Sequence, residues 1–434
     1  MKTIAIKRET KNRWERRAPL TPGAVRQLIQ KGYPVLVEPS SIRIFPDPAY
    51  RKAGARITKD IFSADLIVGI KEFPLEGIVP GKSHLFFSHT VKGQAYNMPM
   101  LQHIVDQTAT LIDYERITDS TGRRLIFFGD FAGKAGMIEG LRGYGLRMKE
   151  QFGVDSPLAR IKPAFEYPSF KAALQDLNRV GEEIRKEGLP SEMVPLNIFL
   201  LGYGNVARGC QEVLSVLPVV RIQPDELKGP HSRRDRIFLT VFKEEHLVER
   251  RDGEPFDLAD YYRNGPLYRS RLGPYLPFCS IYVNAIYWAE GYPVFLSRKE
   301  LSRISQSPGK KLQMICDITC DIGGSVEATV RATQPDQPVY IFDPRTVTTV
   351  DGLRGEGFPV CAVDNLPCEF PRESSEAFSR VLTPLVEGIM ASNLNGEVNH
   401  STLPDAVKRA VIVHKGQFQP GYQYLETFLK RRNK

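Results

Sequence analysis

The sequence predicts an α/β protein made of two Rossmann-like domains, each built around a parallel sheet. Three observations lead to this fold class. The chain has 434 residues, enough for two domains that each bury a core. Short apolar runs alternate with helical segments over residues 1–130, as in parallel α/β sheets. A second unit of strand, glycine-rich turn and helix opens at Leu196.

The elements of the first part follow from the apolar patterning. Helices are predicted at residues 22–31 and 98–107, and Thr21 before Pro22 supplies a cap with proline at the first helical position. The apolar runs of strand length lie at residues 3–6, 35–38, 66–70, 85–88 and 110–114. Strands joined through helices in this way are expected to lie parallel.

The rest of the chain is predicted in the same way. Apolar residues at helical spacing predict helices at residues 134–152, 170–188 and 373–392. Strands are predicted at residues 196–201 and 218–222, and the charged stretch 233–254 is predicted to be rich in loops. We expect a substrate-binding and catalytic domain of residues 1–130 plus about 355–434, and a dinucleotide-binding domain of about 131–354.

Composition and charge narrow the class of function. With 42% hydrophobic and 25% charged residues, the chain has the composition of a soluble globular protein. No apolar run approaches the roughly 20 residues of a membrane span, and no signal peptide is evident, so we expect a cytoplasmic protein without a membrane partner. The net charge of +9 lies in short clusters (11–17, 233–236 and 430–434) without interleaved aromatics. This pattern favours small anionic ligands over nucleic acid.

The cysteines do not form a recognisable metal motif. The spacing of Cys316 and Cys320 is wrong for the usual zinc sites, and no histidine accompanies them. We expect free, buried thiols in a reducing compartment and no metal. The six cysteines are Cys210, Cys279, Cys316, Cys320, Cys361 and Cys368.

The glycine-rich turn after the strand at 196–201 predicts a dinucleotide site. Gly202 would allow the tight turn, Gly204 the close approach of a phosphate, and Gly209 the close packing of the helix on the strand. Asn205 and Val206 open the helix whose N-terminus would face the pyrophosphate. The third glycine falls later than in the usual pattern, and a turn that serves only the chain is the alternative.

Ionisable residues follow two neighbouring strands of the first domain. Lys71 and Glu72 follow the strand at 66–70, and His89, Lys92 and Gln94 follow the strand at 85–88. Ligands of open parallel sheets bind beyond the carboxyl ends of the strands, so these side chains can face one bound molecule. The alternative is a surface Lys–Glu pair beside a histidine that is satisfied within the fold.

Short motifs are spread over nearly the whole chain. They lie at residues 15–22, 71–74, 87–92, 97–99, 112–115, 202–206, 283–288, 316–318, 321–325 and 363–367. In these motifs, and in their order, the chain resembles the lysine–ketoglutarate reductase half of the aminoadipic semialdehyde synthases and, more distantly, the free-standing saccharopine dehydrogenases of fungi.

This resemblance implies a reaction and a set of site residues. The family reduces the imine of the lysine ε-amine and 2-oxoglutarate to saccharopine with a reduced nicotinamide, and its fold is related to alanine dehydrogenase, with the cofactor in a cleft between two domains. The acid–base pair of the fungal enzymes falls on Lys71 and His89. The other active-site positions of the family fall on Lys11, Arg17, Glu72, Lys92, Gln94, Glu115 and Arg124, and the spacing between Lys11 and Arg17 is one residue longer than in the family.

These residue types suit that chemistry. Saccharopine carries three carboxylates and the keto acid two, so the pocket needs fixed cations, and Arg17 and Arg124 can form bidentate pairs with them. Imine formation needs a base for the amine and an acid for the departing hydroxyl. Histidine serves near neutral pH, and a lysine serves when burial or nearby cations lower its pKa.

The choice between NADP and NAD depends on the ribose end of the cofactor. The predicted strand at 218–222 is followed by Gln223 rather than by an acid, which favours NADP, and Asp225 nearby leaves NAD open. Arg221 and the pair Arg233 and Arg234 are candidates for a 2′-phosphate, unless that pair is a solvated loop. The resemblance also favours NADP. The motifs add Asn284 and Asp317 to the cofactor-binding candidates.

Two other interpretations remain open from the sequence. A related opine-type dehydrogenase would take another amine or keto acid, and a nicotinamide-binding regulatory subunit would keep the fold without turnover; Lys71 and His89 argue against the second. The partners expected are lysine, 2-oxoglutarate and saccharopine, with a homo-oligomer left open. Because the half that oxidises saccharopine onward is absent from this sequence, we expect a stand-alone reductase.

Overall fold

The computed structural model describes residues 2–229, 232–393 and 396–429, so the basic cluster at 430–434 lies outside the described residues. The chain forms two compact units. Unit 1 is Met1–Phe128 with Pro371–Lys434, and unit 2 is Gly129–Phe370. The return to the first domain was expected at about residue 355 and occurs at Pro371, because the strand Phe358–Cys361 pairs within the sheet of unit 2.

The structure contains short strands and mostly short helices. The strands are β1 Ile4–Ile6, β2 Val35–Val37, β3 Arg56–Ile57, β4 Leu66–Val68, β5 Ser83–Phe86, β6 Thr110–Asp113, β7 Asn197–Leu201, β8 Val219–Arg221, β9 Ile237–Phe242, β10 Val248–Arg250, β11 Tyr268–Ser270, β12 Ile281–Asn284, β13 Met314–Asp317, β14 Val339–Asp343, β15 Thr348–Asp351, β16 Phe358–Cys361, β17 Val411–His414 and β18 Gln417–Phe418. The helices are α1 Pro22–Gln30, α2 Asp47–Lys52, α3 Met98–Asp106, α4 Gly129–Phe152, α5 Phe170–Glu187, α6 Asn205–Leu214, α7 Glu244–Leu247, α8 Leu258–Arg263, α9 Arg298–Ser305, α10 Pro371–Ala391 and α11 Asp405–Lys408.

The sheet of unit 1 has the order β18-β17-β6-β5-β4-β1-β2-β3. Its strands run parallel except β17 and β18, which add an antiparallel edge beside β6. The central strands β1 and β4 are buried along their whole length, as expected for a sheet covered on both faces. The carboxyl ends of β1, β4, β5 and β6 therefore meet at one edge of the sheet.

The sheet of unit 2 has the order β15-β14-β16-β13-β12-β7-β9-β8. Its strands β16, β13, β12, β7, β9 and β8 run parallel, and β14 and β15 add an antiparallel edge beside β16. The prediction that residues 233–254 are mainly loop is wrong, because this stretch contains β9, α7 and β10. The charged residues on both sides of the apolar β9 hid its pattern. β9 lies between β7 and β8, so β8 is not the neighbour of the strand that precedes the glycine turn.

Helices α4 and α6 approach each other through glycines. A Cβ on Gly133 would lie 1.9 Å from the Val206 carbonyl oxygen, and a Cβ on Gly209 would lie 2.0 Å from the Asp130 carbonyl oxygen. Gly209 was expected to pack the helix on its strand, but the close contact is between α6 and α4. The glycines of α4, which weaken its helical pattern in the sequence, are needed for this contact.

All six cysteines are free, and all but Cys320 are buried. Within residues 2–229, 232–393 and 396–429, no group of three or more His, Cys, Asp or Glu side chains could hold a metal ion. No described helix is both long enough and apolar enough to cross a membrane.

Candidate active site

The ionisable residues of unit 1 lie just beyond the carboxyl ends of its central strands. Lys71 stands three positions after Val68, the last residue of β4, and His89 stands three positions after Phe86, the last residue of β5. The pairing continues past the strand ends, since Gly69 N donates to Leu85 O at 3.1 Å and Phe87 N donates to Ile70 O at 3.0 Å. The two turns therefore stay side by side.

His89 is held by Glu72. Nδ1 of His89 lies 2.5 Å from Oε1 of Glu72, and Asn97 Nδ2 donates to the His89 carbonyl at 3.1 Å. His89 has φ of 48°, a left-handed conformation that is uncommon outside glycine and is found at functional sites. A proton on Nδ1 is donated to Glu72, which leaves Nε2 to exchange a proton with a ligand.

Glu72 is an ionised group at the centre of the cluster. Burial by itself would raise its pKa, but the hydrogen bond and the charge of His89 and the charge of Lys11 lower it to about 2. Lys11 Nζ lies 4.0 Å from Glu72 Oε2. The structure thus brings together Lys11, Glu72 and His89, three of the residues carried over by the resemblance.

The Lys71 amine has a lowered pKa. Burial is the largest cause, and the charges of Arg17 and Lys11 lower the pKa further, while Glu15 and Glu72 act in the opposite direction. A lysine in such surroundings gives up its proton more readily than one in water, which is the condition for acid–base work near neutral pH.

Arg17 holds a carboxylate of the protein itself. Its Nε donates to Glu15 Oε1 at 2.7 Å and its Nη2 to Glu15 Oε2 at 2.5 Å, and its guanidinium stacks 4.2 Å from the Phe128 ring centroid. Arg17 is 3% and Glu15 1% exposed. Burial would raise the pKa of Glu15, but the charge and hydrogen bonds of Arg17 lower it. The bidentate pair predicted between Arg17 and a substrate is made here with Glu15.

The remaining predicted residues lie at the rim of this edge. Arg124 Nη2 lies 3.1 Å from Glu115 Oε1, and the Arg124 side chain is 51% exposed. Lys92 is exposed, while Oε1 of Gln94 is buried and accepts no hydrogen bond from a described residue. Arg124 and Lys92 are thus exposed cations near the strand ends, the type of group that a carboxylate ligand requires.

Three acids of this edge were missed as site residues in the sequence, the buried Glu15 and Asp113 and the half-buried Glu9. Glu15 lies within one of the family motifs. Asp113, at the end of β6, accepts hydrogen bonds from Ser88 N at 3.1 Å and from Glu115 N at 2.7 Å. Burial and the charge of Glu115 raise the pKa of Asp113 to about 6. Glu9 stands three positions after Ile6, the last residue of β1, the same offset at which Lys71 and His89 follow their strands. That repeated offset is the signal that could have identified it.

In unit 2 the turn after β7 has the geometry for a dinucleotide. Gly202 has φ of 97°, and a Cβ there would lie 2.9 Å from the Ala285 carbonyl oxygen, so only glycine fits. A Cβ on Gly204 would meet nothing within 4 Å, so open space faces the start of α6, where Asn205 and Val206 stand. A cavity of about 230 Å³ adjoins the turn, lined in part by Tyr203, Glu244, Tyr262 and Ile286. These features fit a pyrophosphate at the N-terminus of α6.

Asn284 and Asp317 end the neighbouring strands β12 and β13 and contact each other. Asn284 Nδ2 donates to Asp317 Oδ1 at 2.8 Å, and Asp317 Oδ2 accepts from Thr329 Oγ1 at 2.6 Å. Both residues are buried, and Oδ1 of Asn284 accepts no hydrogen bond from a described residue. They stand at the carboxyl edge of the sheet, as the motifs predict, and there they order the loops that follow their strands.

The arginines proposed for a 2′-phosphate are displaced from the glycine turn. Arg233 pairs with Asp235 at 2.8 Å, and Arg234 Nε donates to Leu189 O at 2.7 Å. Both precede β9, which runs parallel to β7, so they lie at the opposite edge of the sheet, and their assignment is wrong. Arg221 ends β8 at the correct edge but one strand away from β7, and its guanidinium contacts Gln211.

The residues beside the glycine turn are Lys243 and Glu244. Gly202 N donates to the carbonyl of Phe242, the last residue of β9, at 2.9 Å, and Lys243 and Glu244 follow directly. Lys243 is exposed, and Glu244 Oε1 accepts from Tyr262 Oη at 2.6 Å. Because β9 is the strand paired with β7, the residues at its carboxyl end lie at the position from which dinucleotide-binding folds contact the adenosine ribose.

Comparison with known proteins identifies the family. Residues 5–135 match the N-terminal domain, and residues 293–420 the C-terminal domain, of alanine dehydrogenase/PNT. The chain is 37% identical to alpha-aminoadipic semialdehyde synthase of Arabidopsis thaliana over 98% of the chain and 41% of that protein. It is 30% identical to the NAD(+), L-lysine-forming saccharopine dehydrogenase of Neurospora crassa over 88% of the chain and 89% of that enzyme. The chain belongs to the saccharopine dehydrogenase family.

The relatives in this family differ in length. The chain spans about half the length of the aminoadipic semialdehyde synthases that it matches, including the mitochondrial protein of Bos taurus, which is 35% identical over 48% of its length. Solved structures confirm the α/β fold of this chain. L-alanine dehydrogenase superimposes over 99% of the chain with a TM-score of 0.62 at 16% identity, and a transhydrogenase from Sinorhizobium meliloti over 96% with a TM-score of 0.58.

Proposed function

We propose that this chain is an oxidoreductase that reversibly condenses L-lysine with 2-oxoglutarate and reduces the product to saccharopine, using a nicotinamide cofactor. The observation that carries the proposal is the cluster of Lys71, Glu72 and His89 at one sheet edge, beside the buried pair of Arg17 and Glu15, in a chain of this family.

The cluster supplies the proton transfers that the reaction needs. The amine attacks the keto carbon, loses a proton and forms a carbinolamine, and loss of water then leaves an imine. Lys71, whose pKa is lowered by burial and by the charges of Arg17 and Lys11, accepts and returns protons in these steps, and His89, held at Nδ1 by Glu72, transfers protons through Nε2. The cofactor, when bound, supplies the hydride that reduces the imine carbon, and the nitrogen becomes a secondary amine.

The cations at this edge suit the carboxylates of the ligands. Arg124 and Lys92 are exposed, and Lys11 lies beside Glu72, which supports a role for these three cations in binding a dicarboxylate keto acid. Arg17 contributes in another way, since it neutralises the buried Glu15 and its charge lowers the pKa of Lys71.

The test is a substrate panel. The purified chain is expected to oxidise NADPH with 2-oxoglutarate and lysine, and to show a kcat/KM at least tenfold lower with ornithine, arginine or other amines, because one methylene changes binding by roughly 10–200-fold. Saccharopine in the product, identified by mass spectrometry, checks the bond formed. A preference for another amine would assign an opine-type dehydrogenase, and no turnover with any pair would contradict the proposal.

The proposal extends to the cofactor, with NADPH preferred over NADH. The preference for NADPH is supported by Lys243, an exposed cation directly after β9 that could pair with the 2′-phosphate. The neighbouring Glu244 already accepts a hydrogen bond from Tyr262. We expect a higher kcat/KM for NADPH, and Lys243→Ala should lower it by about 10-fold or more while NADH is little affected.

Lys186→Ala, which removes an exposed lysine from α5, is the matched control and should leave both values unchanged. If the unmodified enzyme prefers NADH, the NADPH proposal fails. Glu244 then becomes the acceptor for the ribose hydroxyls, and Glu244→Gln should weaken NADH binding.

A further inference from the structure

Glu9 makes a bidentate contact with the backbone that carries Lys71. Its Oε1 accepts from Ile70 N at 2.7 Å and its Oε2 accepts from Lys71 N at 3.0 Å. The contact joins the loop after β1 to the turn after β4, where neither amide has a strand partner. One side chain therefore fixes two successive peptide groups at the start of the turn.

Charged and titratable groups from three loops face the Glu9 carboxyl group. Glu15 and Arg17 reach it from the loop after β1, Lys71 stands on the turn after β4, and Tyr114 follows β6. Burial, and then the charge of Glu15, raise the pKa of Glu9 to about 7, although its two backbone hydrogen bonds and Arg17 act to lower it. Glu9 therefore changes charge near neutral pH.

We propose that Glu9 is a positioning residue for Lys71: its carboxylate holds the peptide from which the Lys71 amine projects into the site. This rests on the proposed function, in which Lys71 transfers protons. The ionised carboxylate accepts on both oxygens, whereas a protonated carboxyl group has one oxygen that donates. Both backbone hydrogen bonds to Glu9 are therefore made above pH 7, and the contact weakens as the pH falls through about 7.

The Lys71 amide reports this contact without substrate. In protein labelled with ¹⁵N-lysine, its NMR signal is assigned by its loss in Lys71→Met. We expect that signal to titrate with a midpoint near pH 7 and to stop doing so in Glu9→Gln. Glu38→Gln is the matched control, because Glu38 Oε2 also accepts a backbone hydrogen bond, from Arg8 N at 2.9 Å, in the same unit. It should leave the Lys71 titration unchanged.

Turnover gives the second readout. A displaced Lys71 amine slows proton transfer more than it weakens substrate binding. Glu9→Gln should therefore lower kcat by roughly 10- to 100-fold with little change in KM. Glu9→Asp keeps the charge on a shorter side chain. It should keep the amide titration, with a lower kcat, and it remains informative if Glu9→Gln does not fold.

The outcomes are distinct. A Lys71 amide that does not titrate, or that titrates unchanged in Glu9→Gln, overturns the role of Glu9, as does a normal kcat in both variants. If the amide titrates as expected but the wild type makes no saccharopine, the proposed function fails and the contact between Glu9 and Lys71 stands.

Discussion

Lys71→Met or His89→Gln is expected to lower turnover by roughly 100-fold or more, because each removes a proton-transfer group of the proposed pair. Neither substitution adds a charge, and both side chains lie at the rim of the core, so the fold should persist. The measurement is kcat at saturating substrate across a range of pH. Cofactor binding, followed by fluorescence titration with NADPH, should be nearly unchanged.

Two controls match these variants within unit 1. Lys52→Met removes an exposed lysine from α2, and His103→Gln removes a half-buried histidine from the last turn of α3. Both should retain wild-type kcat. Near-normal turnover of Lys71→Met and His89→Gln at every pH would refute the assignment of the pair.

Arg17→Ala is expected to destabilise unit 1 by about 3–5 kcal/mol, because it leaves Glu15 as an uncompensated buried charge. The chain has two tryptophans, Trp14 in unit 1 and Trp288 in unit 2. In a Trp288→Phe background, Trp14 fluorescence during urea unfolding reports on unit 1. Arg8→Ala is the matched control: its partner Glu38 is less buried and Arg8 is exposed, so the loss should be about 1 kcal/mol or less.

The stability difference between the wild type and Arg17→Ala should also depend on pH. In the wild type the folded pKa of Glu15 is lowered, so its pair adds stability above the unfolded pKa that is lost as pH falls through the folded pKa. In Arg17→Ala burial instead raises that pKa, so the variant gains stability as pH falls. The gap between the two proteins should narrow from pH 7 to pH 5. Unchanged stability with a raised KM for 2-oxoglutarate would mean that Arg17 serves the substrate instead.

Local patterning was sufficient for the longer helices and for the strands β1, β2 and β4 to β8. The predicted helices at 22–31, 98–107, 170–188 and 373–392 match α1, α3, α5 and α10 within a few residues, because each carries a regular apolar face or a capping signal. The strands β3 and β10 to β18 were not predicted, and β9 was interpreted as loop. Short strands at edges or between charged flanks have little periodicity of their own, so tertiary pairing decides them.

Part of the candidate site was accessible in the same way. Lys71 and His89 could be found because polar residues follow apolar strands at a fixed offset, and the family motifs agree. Their partners could not be found so directly. The contact of Glu9 with the Lys71 peptide joins residues 62 positions apart, and it depends on β1 and β4 lying side by side.

The sequence by itself determined the fold class, the family and the strand ends at which chemistry is placed, because these depend on local patterning and motif order. Only the tertiary structure decided which charges meet. Arg17 forms a buried bidentate ion pair with Glu15, a contact that the sequence pattern did not predict. Arg233 and Arg234 lie at the far edge of their sheet, and Lys243 lies beside the glycine turn, because β9 inserts between β7 and β8. Strand order is set by pairing and packing between distant segments, which spacing along the chain does not encode.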